Sequence, residues 1–141
     1  HKYFNFGKNL VTFELDGHKC GIVICYDIRF CELIRSLALR GIEMLFMVSQ
    51  WPLARANHIV TLTRARAIEN QMFVVCCNSC GKTPEAVFGG HSQIVDPWGE
   101  PLALADDKET VITAECDFGI IKDIRNSINV FNDRKPDIYE L

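Results

Sequence analysis

The sequence predicts an α/β fold in which apolar strands alternate with amphipathic helices. Three observations support this class. Short, almost continuously apolar runs of strand length recur along the chain, and apolar residues at helical spacing lie between them. The third is composition: 48% of the 141 residues are hydrophobic and 23% are charged, which suits one globular core. The chain has no internal repeat, low-complexity segment or linker, so we expect a single unit.

Hydrophobic periodicity places the elements in order along the chain. The predicted strands cover residues 11–15, 20–25, 43–49, 72–78, 93–95, 102–104 and 110–116. The predicted helices run from Arg29 to a cap at Gly41, from Leu53 to about Asn70, and from a cap at Asp117 through Ile128. Asp16-Gly17 and Asp96-Pro97-Trp98-Gly99 supply hairpin turns, and residues 81–90 are loop-like.

Charge and composition exclude several classes of function. Lys and Arg total 15 against 18 Asp and Glu, so the chain offers no basic surface for nucleic acid or an anionic membrane. The apolar runs are far shorter than the roughly 18 residues of a membrane span. The seven cysteines are odd in number and lie mostly in apolar runs, which favours free thiols in a reducing cytoplasm. The chain begins with His1 and shows no secretory signal, and we expect it to be part of a longer protein.

Cys25 is the residue that best fits a chemical role. It lies where a buried strand ends and a helix is about to begin. A sharp strand-to-helix turn lifts a side chain clear of the sheet, and backbone N–H groups near a helix N-terminus favour the thiolate. The alternative is that Cys25 is inert packing, as most buried cysteines are.

Five segments, in order, resemble the nitrilase superfamily, the carbon-nitrogen hydrolases that cleave amides or nitriles through a covalent cysteine intermediate. These segments are residues 24–30 around Cys25, Ser49-Gln50-Trp51-Pro52 with Arg55 and His58, residues 65–71, residues 90–100, and residues 130–139. Cys31 stands where the family commonly has Pro, a change that the first turn of a helix tolerates. The resemblance extends over nearly the whole chain and is far more specific than one cysteine pattern.

The resemblance implies an α-β-β-α sandwich of the nitrilase type, of which residues 1–141 would form the C-terminal portion. It makes Cys25 the nucleophile and the backbone N–H of Tyr26 an oxyanion donor. The family's general-base Glu and its Lys lie upstream of the cysteine strand and are not in this chain. Lys2 does not fit the family's lysine segment, and we expect it to be a solvated terminal residue. No cofactor is implied, and the 141 residues alone are expected to be inactive.

Several neighbouring residues have two interpretations each. Trp51 follows a strand end and either forms a wall of the substrate pocket or packs in the core. His58 either contacts substrate or makes a structural hydrogen bond, which we favour, and His91 stays undecided. Arg29 and Glu32, three residues apart, are expected to form a structural pair.

Cys77-x-x-Cys80 has the spacing of a zinc or redox motif. However, a structural zinc site needs about four ligands, and the sequence has no second cysteine pair at ligand spacing. We therefore predict no metal.

Two functions follow from the sequence. The first is hydrolysis of a small linear amide with release of ammonia, as in the ω-amidase-like branch that acts on 2-oxoglutaramate. A nitrilase or an N-carbamoyl amino acid hydrolase is a variant of this hypothesis. The second is a non-catalytic nitrilase-like module that associates with a partner. By resemblance to the family, we expect a homodimer or higher homo-oligomer. The polar tail over residues 132–141 has no core of its own, and we expect it to lie on another surface.

Overall fold

The computed structural model describes residue 5 and residues 7–139, and it confirms the predicted α/β class. The strands are β1 (Val11–Leu15), β2 (His18–Ile24), β3 (Met44–Ser49), β4 (Phe73–Asn78), β5 (Cys80–Lys82), β6 (Val87–Gly89), β7 (Gln93–Val95) and β8 (Pro101–Leu104). The helices are α1 (Cys31–Leu39), α2 (Ala56–Asn70) and α3 (Gly119–Ser127), with 3-10 turns at Cys25–Arg29, Leu53–Arg55 and Pro136–Ile138. Lys2 lies outside the described residues.

Six strands form one sheet in the order β1-β2-β3-β4-β7-β8. The central strands β2, β3 and β4 are parallel, and α1 and α2 provide the crossovers between them. The two predicted hairpins, β1–β2 and β7–β8, form the edges of the sheet, and β7 pairs antiparallel with β4. Parallel strands joined by helical crossovers have their carboxyl ends at one edge of the sheet, where ligand sites of α/β proteins form.

Two expectations about local structure were wrong. Residues 81–90, expected to be a loop, contain most of the short antiparallel hairpin formed by β5 and β6. Residues 110–116, expected to be a strand, have no regular secondary structure and belong to no sheet, and Val111 is 88% exposed. Alternating apolar residues form a strand only where a neighbour supplies the ladder of hydrogen bonds, and β8 is the edge strand of the sheet in this part of the chain.

The main core lies between the sheet and helices α1 and α2. Side chains that alternate along the central strands, such as Val23, Met47 and Cys76, point into it together with fully buried Ile34 and Ile59. Helix α3 packs on the opposite face, at the end of the sheet where the central strands begin. There Ile121 meets Cys20, Met44 and Phe73.

The rest of that opposite face is apolar and exposed. Ile24, Val48 and Cys77 lie side by side in register on adjacent strands, and Ile24 is 64% exposed. Parallel sheets are normally covered on both faces. Among the described residues, no helix is both long and apolar enough to cross a bilayer.

Candidate active site

The candidate site lies at the carboxyl edge of the parallel strands. Cys25 follows β2 directly, Ser49 is the last residue of β3, and Asn78 is the last residue of β4. In the strand register, Ile24 pairs with Val48, and Ser49 pairs with Asn78. Cys25, Ser49 and Asn78 therefore lie side by side at the ends of three neighbouring strands. Their positions follow from strand pairing alone, which is why residues distant in sequence meet here.

Cys25 adopts the left-handed backbone conformation, with φ of +49°. This conformation is rare for a residue with a side chain and costs about 1–2 kcal/mol. The expected sharp turn at Cys25 is therefore confirmed. The expected proximity to an α-helix N-terminus is not: a five-residue 3-10 turn intervenes, and α1 begins only at Cys31. The thiol is half-buried.

Two cysteines at this edge have different surroundings. The Cys25 sulfur accepts a hydrogen bond from the Ser49 hydroxyl, with Oγ and Sγ 3.2 Å apart. Cys76 points into the core between sheet and helices, and burial raises the pKa of its thiol to about 12. Cys76 is therefore a neutral, packing thiol at physiological pH. Sequence analysis did not single out Ser49, although the register of β3 against β2 is the feature that brings it to Cys25.

A buried arginine of α2 stabilises the 3-10 turn that carries Cys25. Arg66 of α2 donates from Nε to the Ile28 carbonyl at 2.9 Å and from Nη2 to the Arg29 carbonyl at 3.1 Å. Its remaining terminal nitrogen, Nη1, pairs with Glu69 at 2.9 Å. At the start of the turn, the Ile24 backbone N–H donates to the Asp27 carboxylate at 2.9 Å. The backbone around Cys25 is thus fixed at both ends.

A cleft of about 430 Å³ opens beside Cys25. Its lining residues come from the turn after β2 and the segment after β3: Cys25, Tyr26, Arg29, Gln50, Trp51, Pro52 and Arg55. The sequence-predicted residues Cys25, Tyr26 and Trp51 are therefore brought together in one cleft. Its volume lies in the range of a small-molecule site.

Trp51 is a core residue that also lines the cleft. It is 2% exposed, so it belongs to the core, and it also lines the cleft. Its backbone N–H donates to the Asn78 side-chain oxygen at 2.7 Å, and its indole N–H donates to the Arg55 carbonyl at 2.8 Å. Asn78 in turn donates from its amide nitrogen to the Gly90 carbonyl at 2.7 Å. This buried amide, which sequence analysis missed, ties the tryptophan wall to the neighbouring loop.

The charged residues of the cleft are both arginines. Arg29 does not pair with Glu32 as expected; its guanidinium lies 4.6 Å from the centre of the Trp51 ring, and Nη2 is 3.3 Å from His58 Nδ1. The stacking site on Trp51 attracts the cation more effectively than an exposed carboxylate does. His58 makes the structural contact that we favoured. Arg29 and Arg55 line the cleft, and no carboxylate does within the described part of the chain.

The other residues that the sequence singled out, His91 and the Cys77-x-x-Cys80 motif, lie outside this cleft. His91 does not line this cleft, and its Nδ1 contacts the Gly89 carbonyl. Cys77 is exposed and Cys80 is half-buried, and all seven cysteines are free thiols. Over residues 7–139, no group of three or more His, Cys, Asp or Glu side chains is arranged to hold a metal ion.

Comparison with known proteins supplies the family. A family model described as carbon-nitrogen hydrolase matches residues 1–126. The chain belongs to this family. The carbon-nitrogen hydrolases form the nitrilase superfamily, so the resemblance found in the sequence is confirmed.

Curated relatives are named for amide hydrolysis. The chain is 46% identical over 139 residues to a 2-oxoglutaramate amidase of Bacillus subtilis, covering 99% of this chain and 54% of that protein. It is 48% identical over 119 residues to a 2-oxoglutaramate amidase of Paenarthrobacter nicotinovorans, covering 84% and 40%. The carbon-nitrogen hydrolase chain thus spans about half the length of the curated relatives it matches.

A solved structure confirms the fold. The NitFhit protein of C. elegans superposes with a TM-score of 0.92 at 34% identity, covering 98% of this chain and 34% of that one. The nitrilase-type α/β fold is therefore established for these residues.

Proposed function

We propose that the complete protein carrying these residues hydrolyses a small linear amide of the 2-oxoglutaramate type, with Cys25 as nucleophile. The observation that carries the proposal is the position of Cys25: a half-buried thiol on a strained turn at the carboxyl edge of the sheet, facing a cleft of about 430 Å³. The names of the curated relatives support the substrate class.

The proposed reaction has two steps. The Cys25 thiolate attacks the amide carbonyl carbon and forms a carbon-sulfur bond, and the tetrahedral intermediate then breaks its carbon-nitrogen bond. The leaving nitrogen takes up the proton that the general base removed from the Cys25 thiol and departs as ammonia, which leaves a thioester on Cys25. Water, deprotonated by a general base, attacks the thioester, and the thiolate is expelled as the carboxylic acid is released.

Two residues beside Cys25 complete the part of the site within this chain. The backbone N–H of Tyr26 is the proposed donor to the developing oxyanion, since it directly follows the nucleophile on the same turn. Trp51 is the proposed wall against which the substrate chain lies, because it lines the cleft and its backbone N–H and its indole N–H each donate a hydrogen bond that holds it in place.

The general base and the lysine are proposed to come from outside residues 1–141. An uncovered apolar sheet face around Ile24 and Val48 supports this, since a second layer packed there would bury it. That layer would also lie next to the Cys25 turn, where the two missing groups are needed. Residues 1–141 are thus proposed to be the C-terminal portion of one carbon-nitrogen hydrolase domain.

The charge of the cleft favours an anionic amide. Arg29 and Arg55 line it without a neighbouring carboxylate from the described residues. Arginine binds carboxylates through paired hydrogen bonds, so an amide with a carboxylate at its far end suits this cleft better than a neutral amide. Free cysteines throughout the described chain support a reducing, cytoplasmic setting. We propose a homodimer as the working form, from the family resemblance.

The test is ammonia release from 2-oxoglutaramate by the complete protein and its Cys25→Ala variant. We expect the variant to lose turnover entirely while keeping its folded state by circular dichroism. Cys31→Ala is the matched control, because Cys31 is an exposed thiol on α1 outside the cleft. Full turnover by Cys25→Ala would refute the mechanism. A complete wild-type protein that releases no ammonia from any linear amide would favour the non-catalytic module instead.

A further inference from the structure

The Ser49 hydroxyl is the side-chain group that contacts the Cys25 sulfur. Its Oγ lies 3.2 Å from Sγ and donates the hydrogen bond. Within residues 7–139, no other side chain donates a hydrogen bond to this sulfur. The contact joins the last residue of β3 to the residue that follows β2.

Ser49 is held in place by its backbone. It pairs with Asn78 in the parallel ladder, and its carbonyl accepts the Ser79 N–H at 3.0 Å. One residue earlier, Val48 pairs with Ile24, immediately before Cys25. The donor and the sulfur are thus attached to two hydrogen-bonded strands, and their separation does not depend on a flexible loop.

The other polar groups near Cys25 are occupied. The Asp27 carboxylate accepts the Ile24 N–H, so it is turned back along the chain. The Arg29 guanidinium lies over Trp51 and against His58. The turn after Cys25 is a short 3-10 segment, and α1 starts six residues along the chain, so its dipole acts only weakly at Sγ.

We infer that Ser49 is a further catalytic residue, whose hydroxyl donates a hydrogen bond to the Cys25 thiolate and aims it into the cleft. A donor binds a charged sulfur more strongly than a neutral one. The bond therefore stabilises the thiolate before attack, weakens when the sulfur is acylated, and re-forms when the thiolate leaves. The inference rests on the proposed function, because it takes Cys25 as the nucleophile.

The experiment measures the alkylation rate of Cys25 by iodoacetamide against pH, by peptide mass spectrometry, in the complete protein. Three variants are compared with the wild type. Ser49→Ala removes the donor, Ser49→Thr retains a hydroxyl, and Ser36→Ala is the control, because Ser36 donates to a carbonyl within α1. Steady-state ammonia release is followed over the same pH range.

For Ser49→Ala we expect the midpoint of the alkylation profile to move up by about one pH unit, as the loss of one charge-assisted hydrogen bond implies. The value of kcat/KM at neutral pH should fall about tenfold, and most of it should return at higher pH. Ser49→Thr should lie near the wild type, and Ser36→Ala should match it. A merely structural role would lower activity equally at every pH and leave the alkylation midpoint in place.

The inference is overturned if Ser49→Ala and the wild type have the same alkylation midpoint, or if Ser49→Thr shifts as far as Ser49→Ala. If Ser49→Ala does not fold, Ser49→Val replaces it, because valine has the branched shape of threonine, suits a strand and has no donor. The two proposals fail separately. Activity in Cys25→Ala removes the proposed function, whereas an inactive Cys25→Ala with an unshifted Ser49→Ala removes only this inference.

Discussion

Arg66 is expected to control both the stability of the fold and the geometry of the Cys25 turn. Its side chain is 8% exposed, and two of its nitrogens donate to the carbonyls of Ile28 and Arg29. Replacement by Met keeps much of the apolar contact but leaves both carbonyls without this donor. The ion pair with Glu69 is lost as well, although Glu69 is 36% exposed and the pair is screened by water.

The magnitude follows from these contacts. Hydrogen bonds from a charged donor contribute about 1.5–3 kcal/mol each, so two of them give about 3–6 kcal/mol for Arg66→Met. The exposed end of the Glu69 pair adds only a few tenths of a kcal/mol. Arg66→Lys keeps the charge but not the fork that reaches two carbonyls, and it should lose about half as much. We expect kcat to fall more than tenfold in Arg66→Met, because the turn that positions Cys25 is loosened.

The assay is urea unfolding of the complete protein, followed by circular dichroism, with ammonia release measured in parallel. Arg64→Met is the control: Arg64 lies on the same helix, donates one hydrogen bond, from Nε to the Gly99 carbonyl at 2.6 Å, and its ion pair with Glu100 joins side chains that are 42% and 71% exposed. We expect Arg64→Met to lose about 1–2 kcal/mol, less than Arg66→Met, because one partly exposed hydrogen bond is lost instead of two buried ones. Equal losses for the two methionine variants would refute the argument that the buried contacts under the Cys25 turn decide the result.

Three further predictions concern the same edge of the sheet. Burial raises the pKa of Cys76 to about 12, so native Cys76 should resist iodoacetamide at pH 8 and react only after unfolding. Above about pH 9.0 the thiol ionises in the unfolded chain but not in the native protein. The contribution of Cys76 to the free energy of unfolding is therefore lost as the pH rises. Early labelling of Cys76 would contradict its buried position. Because φ at Cys25 is +49°, Cys25→Gly should be more stable than Cys25→Ala by about 1 kcal/mol in urea unfolding, and the reverse order would argue against a strained turn. Arg55→Ala should raise KM about tenfold for an amide with a distal carboxylate and hardly change it for a neutral amide of equal length, as expected for one lost ion pair at the cleft; equal effects on both would refute charge recognition.

The hydrophobic periodicity of the sequence was sufficient to predict most of the fold. The apolar runs that became β2, β3 and β4 and the helical spacing that became α1 and α2 are local patterns, and each is set by the face that a segment must bury. Residues 110–116 show the limit of this reasoning. Their alternation is typical of a strand, but a strand also needs a hydrogen-bonding neighbour, and periodicity does not supply one.

The family and the candidate nucleophile could be predicted from the sequence, because the segment around Cys25 and the four later segments each consist of consecutive residues. It also placed Trp51 just after a strand end, next to the edge where sites form. A motif or a strand end lies within a short stretch of chain, so it can be identified from the sequence without knowing which distant segments pack together.

The side chains that meet Cys25 could not be predicted from local patterns, because they come from distant segments. Ser49 reaches its sulfur because β3 pairs with β2 in one register, and a shift of one residue would turn Ser49 to the other face. Arg66 reaches the turn because α2 packs against it. Arg29 stacks on the Trp51 ring instead of pairing with Glu32, because the ring attracts its guanidinium more strongly. Contacts between distant segments depend on register and packing, and these are fixed only when the whole sheet and its helices come together.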